Sequence, residues 1–162
     1  MPDDKRTDFD LEHFLPYLLN QAAEASSRSF QAIYTNAYGM TRTRWRVLAN
    51  LGKFGAATAR DICRISHIEK TKVSRAVAAM EAEGLLTRQP SQVDRRVEIL
   101  SLTPKGSTVF HDLGKRAVLY DQHLRAQLAP EIAGQLDSLL RRIVALEGDG
   151  ASRGGSTPAG TE

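Results

Sequence analysis

The segment Ser91-Gln92-Val93-Asp94-Arg95-Arg96 lies between Leu85-Leu86-Thr87-Arg88 and the alternating run Val97-Glu98-Ile99-Leu100-Ser101-Leu102, so it reads as the tip of a β-hairpin. Two adjacent arginines held beside an aspartate on a projecting loop suit phosphate oxygens or a narrow groove. Asp94 can pair with one of them and limit its rotamers, while a solvated surface loop would account for the same charges. A second group of polar residues falls in the segment 69–83. There Val73, Ala76, Val77 and Met80 make one apolar stripe at spacings of three and four, and Thr71, Ser74, Arg75 and Ala78 make the opposite one, flanked by Lys70 and Lys72. Hydroxyls, an arginine and small alanines near a helix start fit base edges in a major groove. The cations Lys70, Lys72 and Arg75 stand against the helix dipole, where carboxylates are favoured, which asks for a compensating ligand; a solvated face is the alternative.

A third cluster, Arg42, Arg44 and Arg46, crowds another helix start, with Arg42 and Arg46 on one face beside Trp45. Anions bind at helix starts, so a pocket here between the first, second and fifth helices would hold an aromatic acid or a phosphorylated carrier. The alternative puts Trp45 in the core and pairs the arginines with acidic residues of a partner subunit. Covalent chemistry finds no support: there is no glycine-rich phosphate loop and no nucleophile motif, so no enzyme and no cofactor is expected. His13, His111 and His123 are scattered, and His67 falls in a turn where it meets backbone or phosphate, so no metal site is expected. The single cysteine, Cys63, excludes an internal disulfide and is placed on the buried face of a short helix, as a small hydrophobe.

These groups need a scaffold, and the chain of 162 residues is long enough for one domain with helical extensions. Hydrophobic residues at 41% and charged residues at 25% are ordinary for a soluble protein. No run approaches the roughly 18 apolar residues of a membrane span, and no signal-peptide core follows the N-terminus; a cytoplasmic protein without membrane contact is expected. Residues 41–96 hold 12 Lys+Arg against 5 Asp+Glu, and the remainder 10 against 14, so a basic middle is flanked by acidic ends. That is the pattern of a charged binding face on a less basic scaffold.

Pro16 fits only a first helical turn, which sets a long helix from about Leu15 to Tyr38, stopped by Gly39. Thr41 caps the next helix, with Met40 and Trp45 as a hydrophobic staple, and residues 52–55 break it after Leu51. Thr58 caps a short helix over 59–65, and a turn at 66–68 leads to the helix at 69–83, ended by Gly84. Two short helices joined by a tight turn make a helix-turn-helix. The hairpin follows, then Thr103-Pro104 starts a helix carrying Val109, Leu113, Tyr120, Leu124 and Leu128, and Pro130 opens the last one. The fold expected is mainly α, a winged helix-turn-helix of about six helices and one β-hairpin wing. Its parts are a flexible tail at 1–8, an N-terminal helical region at 9–40, the DNA-binding domain at 41–103, C-terminal helices at 104–146 and a disordered tail at 147–162.

The strings Glu69-Lys70-Thr71-Lys72-Val73-Ser74-Arg75, Met80-Glu81-Ala82-Glu83-Gly84-Leu85-Leu86, Asp94-Arg95-Arg96 and Leu102-Thr103-Pro104-Lys105-Gly106 together resemble the MarR family of bacterial transcription regulators. The resemblance covers about residues 10–146 and is strongest at the Asp-x-Arg of the wing and the Leu-Thr before the next helix. It implies a homodimer joined by the N- and C-terminal helices, bound to double-stranded DNA. Asp94 and Arg96 match the motif's aspartate and groove-entering arginine, leaving Arg95 to phosphate. It also implies a repressor released by a small aromatic carboxylate or its coenzyme A thioester, for which Arg42, Trp45 and Arg46 of the cluster above are the candidate ligand residues. Two features depart from the pattern: Ala129 replaces a capping Ser or Asp, and Cys63 is far from the first-helix cysteine of peroxide-sensing members. The competing function is a winged-helix module for protein contacts, in which the groove face would be apolar and the wing need not be basic.

Overall fold

The computed structural model describes residues 9–151. Their elements run α1 (Leu15–Tyr38), α2 (Arg42–Phe54), α3 (Ala59–Ser66), α4 (Lys70–Ala82), β1 (Leu86–Pro90), β2 (Glu98–Leu102), α5 (Pro104–Ala126) and α6 (Pro130–Ala151). This is the mainly helical winged helix-turn-helix expected, with six helices and one two-stranded antiparallel sheet among the described residues. The tail expected at 1–8 lies outside those residues, as does the tail expected at 147–162 from residue 152 onward, and α6 continues to Ala151, past the boundary at 146 that composition suggests. The chain divides into two compact units between Ala117 and Val118.

In the first unit the caps carry the element boundaries. Thr41 accepts a hydrogen bond from the Arg44 N–H at 3.3 Å, and Met40 beside it is buried. Thr58 and Asp61 form a reciprocal capping box on α3, the Asp61 N–H donating to Thr58 Oγ1 at 3.1 Å and the Thr58 N–H to Asp61 Oδ2 at 3.2 Å. Thr103 Oγ1 accepts from the Gly106 N–H at 3.0 Å and donates to the Gly84 carbonyl at 2.7 Å, so one hydroxyl starts α5 and ties it to the end of the preceding turn.

Two expectations about α2 and α3 are corrected. The chain does not break at residue 52: α2 runs through to Phe54, and the stop is Gly55, whose φ of 81° is in the left-handed region. Gly52 sits inside the helix because a Cβ there would lie 2.4 Å from the Phe110 ring. Cys63 is half-buried, since Ile62 occupies the inward position of α3 and the next residue turns about 100° away from it. In α5 the helix closes at Ala126, which leaves Leu128 beyond it.

The core gathers Val47, Leu48 and Leu51 of α2, Ile62 of α3 and Val73, Val77 and Met80 of α4, with α4 packed on both α2 and α3. Leu85, Leu86 and Leu100 close it from the base of the hairpin, and Val109 and Leu113 from α5. At roughly 1.5–3 kcal/mol per fully buried side chain of this size, that base is anchored far more firmly than its tip. The strands pair from Leu86 with Leu102 to Pro90 with Glu98. Unannounced by any strand pattern, Ala57 in the α2–α3 loop exchanges hydrogen bonds with Leu100 at 3.1 and 2.8 Å, covering the free edge of β2.

In the second unit, α6 buries none of its described side chains: Ile132, Leu139, Leu140 and Val144 are all exposed.

Candidate nucleic-acid interface

The apolar face of α4 is fully used by the core, and that fixes which residues remain for a partner. Val73, Ala76, Val77 and Met80 are buried, whereas Lys70, Thr71, Lys72, Ser74, Arg75 and Ala78 are exposed. The sequence places both stripes correctly because a helical period leaves no other choice once the core side is known. The start of α4 has no side-chain cap and no acidic residue in its first turn; Glu69 stands at the cap position and holds Lys72 through an ion pair of 3.3 Å. That exposed pair removes one of the three cations from the count against the dipole. Lys70 and Arg75 have no ion-pair partner among the described residues.

The hairpin tip is built by its own hydrogen bonds. The Ser91 N–H donates to the Val97 carbonyl at 2.7 Å, the Val97 N–H to the Asp94 carbonyl at 2.9 Å, and Ser91 Oγ accepts from the Val93 N–H at 3.2 Å. Asp94 Oδ1 accepts from the backbone N–H of Arg96 at 3.0 Å. Asp94 therefore braces the turn as an Asx motif, instead of pairing with a guanidinium as one reading of the sequence has it. The short reach from a carboxylate to the amide two residues on favours this bond over one to a long, hydrated side chain. Arg95 and Arg96 are exposed, with no side-chain partner among the described residues.

Between the tip and α4 lies a residue the sequence did not single out. Arg88 on β1 donates from Nε to Glu81 on α4 at 2.8 Å and from Nη1 to Glu98 on β2 at 3.3 Å. Partial burial works against its charge, but the hydrogen bonds and attraction of Glu98 and Glu81 outweigh it and hold its pKa above the usual arginine value. The available signal was an arginine flanked by glutamates seven residues before and ten after, on a hairpin whose register brings the latter close. Arg60 and Arg64 on α3 are also exposed, and Arg60 is unpaired among the described residues; the first helix of such a motif crosses the DNA backbone.

The arginines of α2 are more engaged than their sequence cluster suggests. Arg42 Nη1 reaches both carboxylate oxygens of Glu24, at 2.8 and 3.0 Å, so its acidic partner comes from α1 of its own chain. That hydrogen bond, with the attraction of the same guanidinium, holds the Glu24 carboxyl below the usual carboxylate range. Arg44 pairs with Glu83 just past the end of α4, and Arg46 donates to the Ser66 carbonyl at 3.4 Å. Trp45 is half-buried; it stacks on Tyr34 with ring centroids 5.9 Å apart and meets Phe30 edge-on at 5.3 Å, so it sits at the margin of the core against two buried rings. Burial raises the pKa of Tyr34, and the charges of Arg42 and Arg46 oppose the rise, so both guanidinium groups act on this aromatic cluster. A separate groove of about 450 Å³ is lined by Ile33, Asn36, Ala37, Tyr38 and Arg116, with Tyr38 and Arg116 both on the carboxylate of Asp112.

Comparison with known proteins finds relatives of this sequence and fold. A family model described as the MarR family matches residues 38–97, the stretch from the end of α1 through the wing tip. The homoprotocatechuate degradative operon repressor of Escherichia coli is 26% identical over 91% of this chain and 97% of its own length. A MarR family transcriptional regulator from Silicibacter pomeroyi has a solved structure 29% identical, with a TM-score of 0.75 over 86% of this chain and 98% of that one. The fold is shared as well with BpsR of Bordetella bronchiseptica, whose DNA binding is regulated by 6-hydroxynicotinic acid, at 23% identity and a TM-score of 0.74 over 84% and 96% of the two chains.

Proposed function

We propose that the chain is a transcription regulator of the MarR family, a homodimeric repressor that binds a pseudo-palindromic operator and is released by a small aromatic acid or its coenzyme A thioester. The observation that carries the DNA arm is the pairing of an exposed polar face, Thr71, Ser74 and Arg75, with a braced wing tip whose Arg95 and Arg96 are free of partners. Lys70 and Lys72 join that face, and Asp94 holds the tip. On this reading α4 enters the major groove, Arg96 the adjacent minor groove, and Arg95 meets phosphate. Half-sites would lie one helical turn apart, about 10 base pairs. A module for protein contacts would have little use for this polar and cationic surface.

The homodimer is supported by the bare apolar side chains of α6 and of α1, where Leu15 and Leu18 are exposed; such surface is covered in a stable protein. For the effector, Arg42, Trp45 and Arg46 remain the proposed residues, with the added requirement that an incoming carboxylate displace Glu24 from Arg42. Operator titration with the effector decides both arms. Arg75→Ala should narrow the gap between specific and non-specific DNA, and a uniform loss on both would make it a phosphate contact. Arg42→Ala should leave DNA affinity nearly intact while blunting release by phenolic acids; an equal response in that variant, with loss of response in Arg116→Ala, would move the site to the groove between α1 and α5.

A further inference from the structure

We propose that Arg88 is the positioning residue that fixes the wing against the recognition helix, and so sets the distance between the two groove contacts of each protomer. The geometry stands by itself; its consequence for DNA rests on the function proposed above. Arg88 lies in β1, opposite Leu100 of β2. Its guanidinium spans three elements, with Nε on Glu81 in the last turn of α4 and Nη1 on Glu98 at the start of β2. The Arg88 side chain is 29% exposed, less than either carboxylate it holds, which lies at 41% for Glu81 and 57% for Glu98. A guanidinium committed to two carboxylates is not available to a phosphate, which separates Arg88 from Arg95 and Arg96.

The wing needs such a tie. Two-stranded ribbons are marginal alone and twist readily. Buried side chains hold only the base of this one, and beyond Pro90 the hydrogen bonds of the tip join only residues 91–97 to one another. Five residues of strand span about 17 Å, so a swing of about 10° at the base would carry the tip some 3 Å, the length of a hydrogen bond. Glu81 is the point on the recognition helix from which that swing is opposed. Lysine would not substitute, because an ammonium lacks the rigid fork that aims two donors in fixed directions.

Two measurements test the assignment. In the full chain with Cys63→Ser, spin labels at Ala78→Cys and Val93→Cys report the distance from the exposed face of α4 to the wing tip. Adding Arg88→Lys, Arg88→Ala or the pair Glu81→Gln and Glu98→Gln should broaden a narrow distribution, with far-ultraviolet circular dichroism unchanged. Unlabelled Arg88→Lys and Arg88→Ala should lose about tenfold in operator affinity, the scale of one contact, at every salt concentration, leaving the slope of log K against log salt as it is. An unchanged distance distribution overturns the proposal. So does a slope reduced by about one per protomer, which would make Arg88 a phosphate contact. If the unsubstituted protein binds no operator, the DNA reading fails and the distance measurement still decides whether Arg88 holds the wing.

Discussion

Arg96→Ala is the perturbation that isolates the wing, because the structure separates what the residue's backbone does from what its side chain does. Asp94 accepts from the Arg96 backbone N–H, and that bond survives truncation at Cβ. The guanidinium has no partner among the described residues, so its removal leaves no orphaned carboxylate. The variant should therefore fold with unchanged stability and lose only its interaction with DNA. A cation held against B-form DNA, in a groove or on a phosphate, displaces counterions and contributes about 0.9 to the slope of log K against log salt, so a dimer that loses both Arg96 charges should lose about 1.8. Between about 50 and 200 mM salt, a fourfold range, a slope change of that size makes the defect about 12 times larger at the low end than at the high end. Fluorescence anisotropy with one operator at four or five salt concentrations reads this directly. Arg96→Lys should recover the slope without recovering a preference for a narrow A·T minor groove, since a hydrated ammonium enters it less readily. A slope equal to that of the unsubstituted protein, or a full recovery of sequence preference by lysine, would refute the placement of Arg96 in the groove.

Two further substitutions test the scaffold. Gly106→Ala puts a Cβ 1.9 Å from the Leu85 carbonyl oxygen, a backbone atom that cannot step aside, so urea denaturation should show a loss at or above the usual 1–3 kcal/mol of overpacking; a smaller loss would mean that α5 can lift off the wing base. Acid sensitivity should follow the carboxylates whose pKa values are depressed: Asp61 by its hydrogen bond from the Thr58 side chain, Glu24 by its bond from Arg42, and Asp112 by its bond from Tyr38. A depressed folded pKa stabilises above the unfolded value, about 4, and that contribution disappears as pH falls through the folded value. Thermal unfolding from pH 6 down to 3 should therefore show a steeper loss below pH 4 in the unsubstituted protein than in Asp61→Asn, and parallel curves would remove the α3 capping box as a source of acid lability.

What could be read from the chain was set by period and punctuation. The two stripes of α4 follow from Val73, Val77 and Met80 alone, and Thr41, Thr58 and Thr103 each announce a helix that the structure starts at the next residue. Glycine misled once, at Gly52, because the residue has two uses: a left-handed turn and the absence of a side chain. Only the approach of Phe110, far away in sequence, decides for the second. Cys63 shows the same limit on a smaller scale, since a single helical step separates the buried Ile62 from a half-exposed neighbour, and composition does not fix the phase of an eight-residue helix.

Charge was legible as a total and illegible as a set of partnerships. The basic middle of the chain contains arginines of three kinds that look alike in sequence. Arg44 and Arg88 are tied to glutamates of other elements and hold the scaffold, Arg42 is tied to a glutamate that a ligand would have to displace, and Arg75, Arg95 and Arg96 are tied to nothing described. Ion pairing between elements depends on register and helix phase, which are products of the fold. The free arginines of this stretch are the ones for which an outside anion costs no internal contact, and besides Arg60 on α3 they fall on α4 and the wing tip. The same rule explains why Asp94 is better placed on a backbone amide than on a side chain: it braces the tip and leaves both neighbouring guanidinium groups without an internal partner among the described residues.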